Sequence, residues 1–367
     1  MTEGDPAESA ITGETDVAEG LIEEIARTRP VREASAAAPG QSLVQLDDVS
    51  VVFKTRKGFF RTDDVPAVIG VTLAVGRGET VALVGESGSG KTTLGRVSIR
   101  LIHPTSGRVW FDGRDITNIA DEQLGWLRRR AQIVFQDPFS SLNPYMRVAE
   151  LVEEPLVIDG MRSRTERLTR VYGALEAVEL LPARRVAGKY PTAMSGGQRQ
   201  RVGIARALVR DPEYMVADEP VSMIDASSRI EILDLLRGLQ EKRGVTILYI
   251  THDIASARHF ARRIAVMFRG EVVEIGSAAQ VIDRPAHPYT RSLIAAVPEP
   301  DPANRFRRRA VGDADAFATA ATVHAACPHS GAELAGRPLL LEIEEDQGHF
   351  VACHNAGRQR RSEHTDG

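Results

Sequence analysis

Eight residues, Gly85–Thr92, constrain the fold of this chain more than any other feature of its sequence. They fit the pattern G-x-x-x-x-G-K-[ST], follow the apolar run Thr80–Val84 and lead into a helical pattern. Glycines let such a loop curl until its N–H groups face phosphates, and the helix N-terminus adds positive potential. The sequence therefore predicts a phosphate loop, made of Gly85, Glu86, Ser87, Gly88, Ser89, Gly90, Lys91 and Thr92.

The end of the phosphate loop carries the groups that contact phosphate and metal. Lys91 can reach the terminal phosphates, the Thr92 hydroxyl can ligate Mg²⁺, and Thr93 continues the start of the helix. We expect these residues to bind nucleotide together with the rest of the loop. Kinases, GTPases and motor proteins share this loop, so alone it predicts a bound nucleotide and no particular reaction.

Three apolar runs in the sequence each end in a polar cluster. The runs Thr80–Val84, Tyr214–Ala217 and Thr246–Ile250 are typical of buried parallel strands. Ligands of α/β sheets bind at the carboxyl ends of such strands, so we expect the three clusters to meet at one site. The clusters are Gly85–Ser87, Asp218–Glu219 and Thr251–Asp253.

The acidic pair Asp218–Glu219 indicates hydrolysis. Asp218 ends an apolar strand, where it suits a second contact to Mg²⁺. Adjacent side chains at a strand end diverge, so Glu219 can hold the attacking water while Asp218 holds the metal. The alternative is an ordinary acidic pair that starts a helix before Pro220.

Composition excludes several other classes of protein. The chain has 367 residues, 43% of them hydrophobic and 26% charged, with a net charge of -4 that does not indicate nucleic-acid binding. No apolar stretch approaches the length of a transmembrane helix, and the acidic start lacks a secretory signal. Two cysteines exclude a disulfide framework and fit a reducing compartment.

The rest of the chain predicts an antiparallel sheet and long helices around the parallel strands. The expected antiparallel strands are Val49–Phe53, Ala67–Val75 and Arg108–Phe111, with a basic loop at Lys54–Asp64. The expected helices are Glu166–Leu181, Gln198–Arg210 and Ser228–Lys242.

A short polar motif, Ser195–Gln198, separates one class of phosphate-loop protein from the others. Together with the phosphate loop and Asp218–Glu219, it resembles the signature of ATP-binding cassette (ABC) transporter subunits. The resemblance implies an α/β fold of the P-loop NTPase (RecA-like) type, with an antiparallel β subdomain and a helical subdomain. It also implies that the signature contacts ATP bound by a partner cassette in a head-to-tail dimer. The signature residues are Ser195, Gly196, Gly197 and Gln198.

The resemblance assigns roles to further residues. Gln136 matches the Q-loop glutamine, which touches Mg²⁺ or water, and Asp225 matches the D-loop, which crosses the dimer interface. His252 matches the histidine that contacts the γ-phosphate. The implied catalytic set is Glu219, His252 and Gln136, and the implied Mg²⁺ ligands are Thr92, Gln136 and Asp218.

The family also implies an aromatic ring that stacks on adenine. Phe53 is the first candidate, and Phe59 and Phe60 compete with it because the preceding loop is longer than in minimal cassettes. Packing in the core at a strand end is the alternative role of Phe53.

Two segments resemble one branch of the family, the importers of oligopeptides, dipeptides and nickel. They are Phe135–Pro144 and His287–Leu293. The branch implies a motor at the cytoplasmic face of the membrane that drives two permease subunits fed by a solute-binding protein. It implies a second, paralogous ATPase subunit, with a homodimer as the alternative. Oligosaccharides are the alternative substrate class. The alternative functions are those of a non-transport ABC ATPase or a P-loop kinase.

The expected organisation has three parts. Residues 1–42 form a disordered acidic arm, 43–283 form the nucleotide-binding domain with a mainly helical part at 139–208, and 284–367 form a C-terminal extension.

The C-terminal extension is not expected to hold the iron–sulfur cluster that many members of the branch carry. Only Cys327 and Cys353 match the four cysteines of that site, and the other two positions fall near Ala321 and Leu334. We expect a metal-free remnant. Zinc is the alternative, bound by Cys327, His329, His349, Cys353 and His354.

Overall fold

The computed structural model describes residues 42–57, 61–297, 340–343 and 348–352. Its N-terminal part contains an antiparallel sheet with the strand order β2-β1-β4-β5. One face is covered because Val49, Val68 and Phe111 are fully buried. The strands are β1 Ser42–Lys57, β2 Arg61–Gly76, β4 Ser106–Phe111 and β5 Arg114–Asp115. The predicted disordered arm lies outside the described residues except for Ser42, which begins β1.

The predicted loop at Lys54–Asp64 is wrong for most of its length. Strand pairing continues through this range, with Lys54 opposite Asp64 and Thr55 opposite Asp63. The Thr55 hydroxyl also donates to the Asp63 carbonyl oxygen over 3.0 Å. The opposite charges of Lys54 and Asp64 lie directly across the antiparallel pair and stabilise it, so charged residues in this range extend the ladder instead of forming a loop.

The central sheet has eight strands in the order β11-β12-β10-β9-β3-β8-β7-β6. The five strands from β9 to β6 run parallel, and the remaining pairs are antiparallel. Every residue of β3, β7 and β8 is buried, as expected for strands covered on both faces. The strands are β3 Thr80–Val84, β6 Ala131–Val134, β7 Tyr214–Asp218, β8 Thr246–Thr251, β9 Arg263–Phe268, β10 Glu271–Ser277, β11 Leu341–Glu342 and β12 Phe350–Val351.

Five of the helices lie between β6 and β7 in the sequence, and their buried side chains share one core with the central sheet. The helices are α1 Lys91–Ser98, α2 Gly125–Arg130, α3 Pro138–Ser141, α4 Val148–Ile158, α5 Arg164–Ala177, α6 Ala183–Ala187, α7 Gly196–Leu208, α8 Ala226–Arg243, α9 Ile254–Phe260, α10 Ala278–Asp283 and α11 Pro288–Ala295. In the part of the chain that the structure describes, none of the helices has the length and apolar character needed to cross a membrane.

Residues 139–208, all of them described, form helices and connecting segments without a strand. Leu151 of α4, Leu175 of α5 and Val202 of α7 belong to one buried core. Helix α5 ends earlier than the predicted Leu181, because the chain takes a left-handed backbone at Glu179, with φ 60°.

The C-terminal strands extend the edge of the central sheet. Strand β12 pairs with β10 at Glu274 and Ile275, and the Ala352 N–H donates to the Val273 carbonyl oxygen over 2.8 Å. Glu274 is fully buried and accepts hydrogen bonds from the backbone N–H groups of Ala286 and His287, each over 2.9 Å. The extension is therefore tied to the sheet on both sides of residues 298–339.

Candidate active site

The phosphate loop is pressed between strands β2 and β9, and glycine is required at two of its positions. A Cβ atom at Gly85 would lie 2.0 Å from the Met267 carbonyl oxygen, and one at Gly90 would lie 2.1 Å from the Ala67 carbonyl oxygen. Gly90 also has a φ of 99°, which side-chain-bearing residues rarely adopt. Gly85 and Gly90 therefore allow the backbone of the loop to pack directly against the backbones of β9 and β2.

Lys91 lies folded into the phosphate loop. Its Nζ donates to the carbonyl oxygens of Gly85 over 2.9 Å and of Glu86 over 2.6 Å, and to Ser89 Oγ over 3.3 Å. Burial lowers the pKa of Lys91, and the nearby carboxylates, Glu219 first, oppose that shift. A nucleotide phosphate could replace these neutral acceptors with charged ones, which bind an ammonium group more strongly.

Thr92 and Asp218 meet beside the phosphate loop. The Thr92 hydroxyl donates to Asp218 Oδ1 over 2.8 Å, and Asp218, at the end of β7, is buried. Burial raises the pKa of Asp218, against the opposing effect of the Thr92 hydrogen bond. A cation at this place would favour the charged carboxylate, so the pair is chemically suited to a metal ion.

The two oxygens fit Mg²⁺ in particular. Magnesium commonly uses one or two protein oxygens and takes its remaining ligands from substrate phosphates and water. Among the described residues, no group of three or more His, Cys, Asp or Glu side chains could hold a metal by itself. Thr92 and Asp218 are side chains that could hold Mg²⁺ beside a bound nucleotide.

Glu219 occupies an unusual backbone conformation directly after Asp218. Its φ is 45°, in the left-handed region that residues other than glycine seldom adopt. Its N–H donates to the Ile250 carbonyl oxygen over 2.9 Å, and Ser222 Oγ donates to its carbonyl oxygen over 3.0 Å. These two bonds hold the turn that follows β7.

Gln136 and His252 converge on the carboxylate of Glu219. Gln136 Nε2 donates to Glu219 Oε2 over 3.1 Å, and His252 Nδ1 lies 3.1 Å from the same oxygen. The three residues follow β6, β7 and β8, which are neighbours in the sheet. The Glu219 side chain is 14% exposed and that of His252 58%, so the cluster opens to solvent. A carboxylate held in this way can accept a proton from a bound water.

The signature lies at the start of α7 and satisfies its own hydrogen bonds. Ser195 Oγ accepts from the Gln198 N–H, and Gln198 Oε1 accepts from the Ser195 N–H, each over 3.3 Å. This is a capping box, which stabilises a helix start. Within the described ranges, no hydrogen bond joins the signature to the phosphate loop. The structure therefore does not bring these two predicted groups together in one chain.

The signature packs instead against the segment that contains Asp225. A Cβ atom at Gly197 would lie 3.0 Å from the Ser228 Cβ. Asp225 caps α8 through the Ser228 N–H, over 2.9 Å, and accepts from Ser227 Oγ over 2.7 Å. The Ser227 and Ser228 hydrogen bonds hold the pKa of Asp225 at about 2. An ionised carboxylate thus stands beside the signature.

Phe53 lies on β1, opposite Val65, and its side chain is 41% exposed. An exposed ring can stack on a base, whereas a core ring cannot, so this position suits the predicted adenine contact. Its competitors, Phe59 and Phe60, lie outside the described residues. The structure therefore leaves Phe53 as a prediction.

The predicted cysteine sites also lie mostly outside the described residues. Cys327, His329, Cys353 and His354 belong to ranges that the structure does not describe. His349 is described, and it is buried with its Nε2 2.8 Å from Glu274 Oε1.

Two contacts near the site were not predicted. The Tyr289 hydroxyl accepts a hydrogen bond from the Glu86 N–H over 3.0 Å, and the Arg199 guanidinium lies 4.3 Å from the centre of the Phe139 ring. The sequence signal for the first was the run His287–Leu293, which had indicated only a branch of the family.

Comparisons with known proteins agree with the fold and the motifs. The family model "ABC transporter" matches residues 68–222, and the model "Oligopeptide/dipeptide transporter, C-terminal region" matches residues 273–331. The oligopeptide transport ATP-binding protein AppF of Bacillus subtilis is 39% identical over 332 residues, which are 87% of this chain and 98% of that protein. A putative peptide import ATP-binding protein of Brucella ovis is 44% identical over 288 residues, which are 77% of this chain and 90% of that protein.

Solved structures of similar proteins are cassettes too. A dimeric post-hydrolysis structure of the ATP-binding cassette MJ0796, bound to ADP and Pi, has a TM-score of 0.57 at 35% identity, covering 64% of this chain and 98% of that one. Cassette cbiO1 of Clostridium perfringens, part of the transporter complex cbiONQ, has a TM-score of 0.58 at 28% identity, covering 66% and 92%. The predicted family and fold class are confirmed. The chain belongs to the ABC transporter family of nucleotide-binding ATPases, in its oligopeptide/dipeptide branch.

Proposed function

We propose that this chain is the ATP-hydrolysing motor of an importer for peptides or related small solutes. The observation that carries the proposal is the meeting of Gln136, Glu219 and His252 at one carboxylate oxygen, beside the phosphate loop. The names of the similar Bacillus and Brucella proteins, which refer to peptide transport or import, support the solute class.

Each residue of the site has a separate role in the proposed hydrolysis. Lys91 and phosphate-loop amides bind the phosphates, and Thr92, Asp218 and Gln136 would hold Mg²⁺. Bound there, Mg²⁺ would neutralise charge on the phosphate oxygens. Glu219 accepts a proton from the attacking water as the oxygen of that water forms a bond to the γ-phosphorus. The bond between that phosphorus and the β-phosphate oxygen breaks, and ADP and phosphate leave.

A second cassette would complete the site. Among the described residues the signature makes no hydrogen bond with its own phosphate loop, and Met223 and Ile230, on either side of Asp225, expose 55% and 65% of their surface. Exposed apolar groups beside a helix start that satisfies its own bonds suit a protein partner. We infer that Ser195–Gln198 and Asp225 face ATP on a second subunit, either a paralogue or a copy of this chain.

A groove beside Gln136 is the proposed contact to the permease subunits. This coupling groove is an open cavity of about 200 Å³ lined by β6 and the segment that follows it, by α4 and by α7. Its floor includes the buried Gln200, and its rim exposes 41% of Phe135 and 72% of Ile158. Apolar groups around a concave surface suit the side chains of an inserted helix. Binding there would place the motor at the cytoplasmic face of the membrane, where ATP is available.

Residues 43–283 are the proposed nucleotide-binding domain, with the helical part at 139–208, and residues 284–367 the proposed extension. The coupling groove lies where the helical part meets β6, so movement of one part against the other would change its shape.

Reconstitution with the two permeases and the binding protein tests the proposal. Peptides should raise ATP turnover in proteoliposomes, and stimulation by oligosaccharides alone would replace the peptide assignment. Ile158→Glu should abolish association with the permeases but leave MgATP binding by the isolated subunit intact. Val157→Glu, which puts the same charge on the adjacent exposed residue outside the groove lining, is the matched control. Equal loss in both variants would argue against the groove.

A further inference from the structure

A tyrosine from the C-terminal part of the chain touches the phosphate loop across 203 residues of sequence. The N–H of Glu86 donates to the Tyr289 hydroxyl over 3.0 Å. The carbonyl oxygen of the same residue accepts from Lys91 Nζ over 2.6 Å. Glu86 is therefore held at its N–H by α11 and at its carbonyl oxygen by the loop lysine.

These two bonds have different fates when nucleotide binds. To form a hydrogen bond with a phosphate, the Lys91 ammonium must turn toward the nucleotide, and its bond to the Glu86 carbonyl oxygen then weakens. The Tyr289 bond gives the Glu86 N–H an acceptor outside the loop, and it does not depend on where the Lys91 ammonium lies. Tyr289 is thus placed to hold the loop backbone while Lys91 changes partners.

Tyr289 is itself rigidly placed. It is 2% exposed, and its ring centre lies 4.2 Å from that of Phe268, the last residue of β9. The preceding residue, Met267, is the one whose carbonyl oxygen abuts Gly85. Burial raises the pKa of Tyr289, so the phenol stays neutral at physiological pH. One strand therefore supports both the loop and the tyrosine.

Hydrogen bonds fix the start of helix α11 as well. His287 Nδ1 accepts from the Tyr289 N–H over 3.1 Å. The buried Glu274 carboxylate accepts from the His287 N–H over 2.9 Å and lies 2.8 Å from His349 Nε2. The chain of contacts therefore runs from the edge strands of the extension to the phosphate loop.

We propose that Tyr289 is a positioning residue for nucleotide binding, which acts by holding the Glu86 N–H and with it the shape of the phosphate loop. This rests on the proposed role of the phosphate loop as the ATP site. The C-terminal part of the chain then helps to hold the shape of the phosphate loop. The expected effect is on nucleotide affinity, because Tyr289 touches the loop and not the reacting atoms.

The test is Tyr289→Phe in the full chain, which removes the hydroxyl and keeps the ring on Phe268. Isothermal titration with MgATP should show a Kd raised about three- to ten-fold, as expected for one hydrogen bond. The KM for ATP should rise in parallel in the assembled transporter while kcat stays unchanged. Tyr214→Phe is the matched control, because Tyr214 is also buried and its hydroxyl lies 3.0 Å from Ser98 Oγ, at the far end of β7 from Asp218.

Wild-type affinity in Tyr289→Phe, or the same loss in Tyr214→Phe, would overturn the inference. Lys91→Ala separates the two proposals, because wild-type MgATP binding by that variant would refute the loop as the ATP site. Amide exchange in the nucleotide-free wild type gives a measurement without any variant. The Glu86 amide should be protected, and exchange at the rate of an open loop would contradict the hydrogen bond.

Discussion

Two regions of this chain differ in the sequence separation of their hydrogen-bond partners. The proposed hydrolysis centre consists of Thr92, Gln136, Asp218, Glu219 and His252, and the signature region of Ser195–Gln198 with Asp225. In the centre, the partners are far apart in sequence: Thr92 bonds to Asp218 across 126 residues, and Gln136 to Glu219 across 83. In the signature region they are neighbours, because Ser195 bonds to Gln198 across three residues. The first region exists only when the sheet is assembled, whereas the second needs little more than the start of a helix.

This difference supports the proposal that one chain builds only part of an ATP site. The strand ends fix Asp218 and Glu219 relative to the phosphate loop, so the groups that we propose for binding and water activation are already in contact within one chain. The signature residues Ser195 and Gln198 form hydrogen bonds with each other at the start of their own helix, and the nearby Met223 and Ile230 are exposed. Changes in the centre should therefore act within one chain, and changes in the signature should act on the partner.

The largest effect should come from Glu219→Gln. The substitution keeps the shape of the side chain and removes the charge that orients water, so turnover should fall about 10²- to 10⁴-fold. MgATP affinity should persist, because Lys91, Thr92 and Asp218 are unchanged. Phosphate release and equilibrium binding measure the two quantities. Glu241→Gln, on the exposed end of α8, should behave like the wild type. Rapid hydrolysis by Glu219→Gln would show that the centre uses another base.

Gly197→Asp should produce the next largest effect and should act in trans. A Cβ there meets Ser228 at 3.0 Å, and the new charge stands near the ionised Asp225. Hydrolysis at the partner's phosphate loop should fall about 10²-fold, the scale for losing one transition-state donor. MgATP binding by the isolated variant should be normal. Mixed dimers in which only one chain carries the change allow the two sites to be assayed separately.

Gly238→Asp is the control for that experiment, since a Cβ at Gly238 meets nothing within 4 Å. If Gly197→Asp inactivates the site on its own phosphate loop, the division between the two regions is wrong.

Phe53→Ala should have a moderate effect within its own chain. Losing a ring that stacks on a base should weaken MgATP binding about five- to ten-fold. Val65→Ala, on the opposite exposed position of the same strand pair, should change it little. Fluorescence titration with an ATP analogue measures both. An unchanged affinity in Phe53→Ala would transfer the adenine contact to Phe59 or Phe60.

The smallest effect is expected outside both regions. Combined Cys327→Ser and Cys353→Ser substitutions should leave ATP turnover unchanged, because four thiolates are needed for the usual iron–sulfur site and the chain has two cysteines. Anaerobic purification followed by iron, sulfide and zinc analysis checks the wild type. Stoichiometric iron and sulfide would refute the expectation, and stoichiometric zinc would refute the metal-free remnant.

The sequence predicted the parallel strands well because their runs are wholly apolar and end abruptly. Tyr214–Ala217 and Thr246–Ile250 each fall one residue short of the observed strands. It failed at Lys54–Asp64, where charged residues suggested a loop but pair across two strands. Side-chain composition cannot distinguish these cases until the opposite strand is known.

The site was predicted as a set of residues but not as a set of contacts. The motifs placed Gln136, Glu219 and His252 near one another, yet nothing in the sequence showed that two of them share one oxygen of the third. The run His287–Leu293 indicated a branch of the family but not the bond from Glu86 to Tyr289, because that bond joins residues 203 positions apart.

The pairing of β12 with β10 has a consequence for solubility. An uncovered edge strand presents free N–H and C=O groups that can pair with another molecule. Here β12 covers Glu274 and Ile275, and the Ala352 N–H occupies the Val273 carbonyl oxygen. A chain cut after Val297 would uncover this edge of β10, and size-exclusion chromatography should then show concentration-dependent self-association. Strands β11 and β12 therefore protect the edge of β10 from pairing with another molecule.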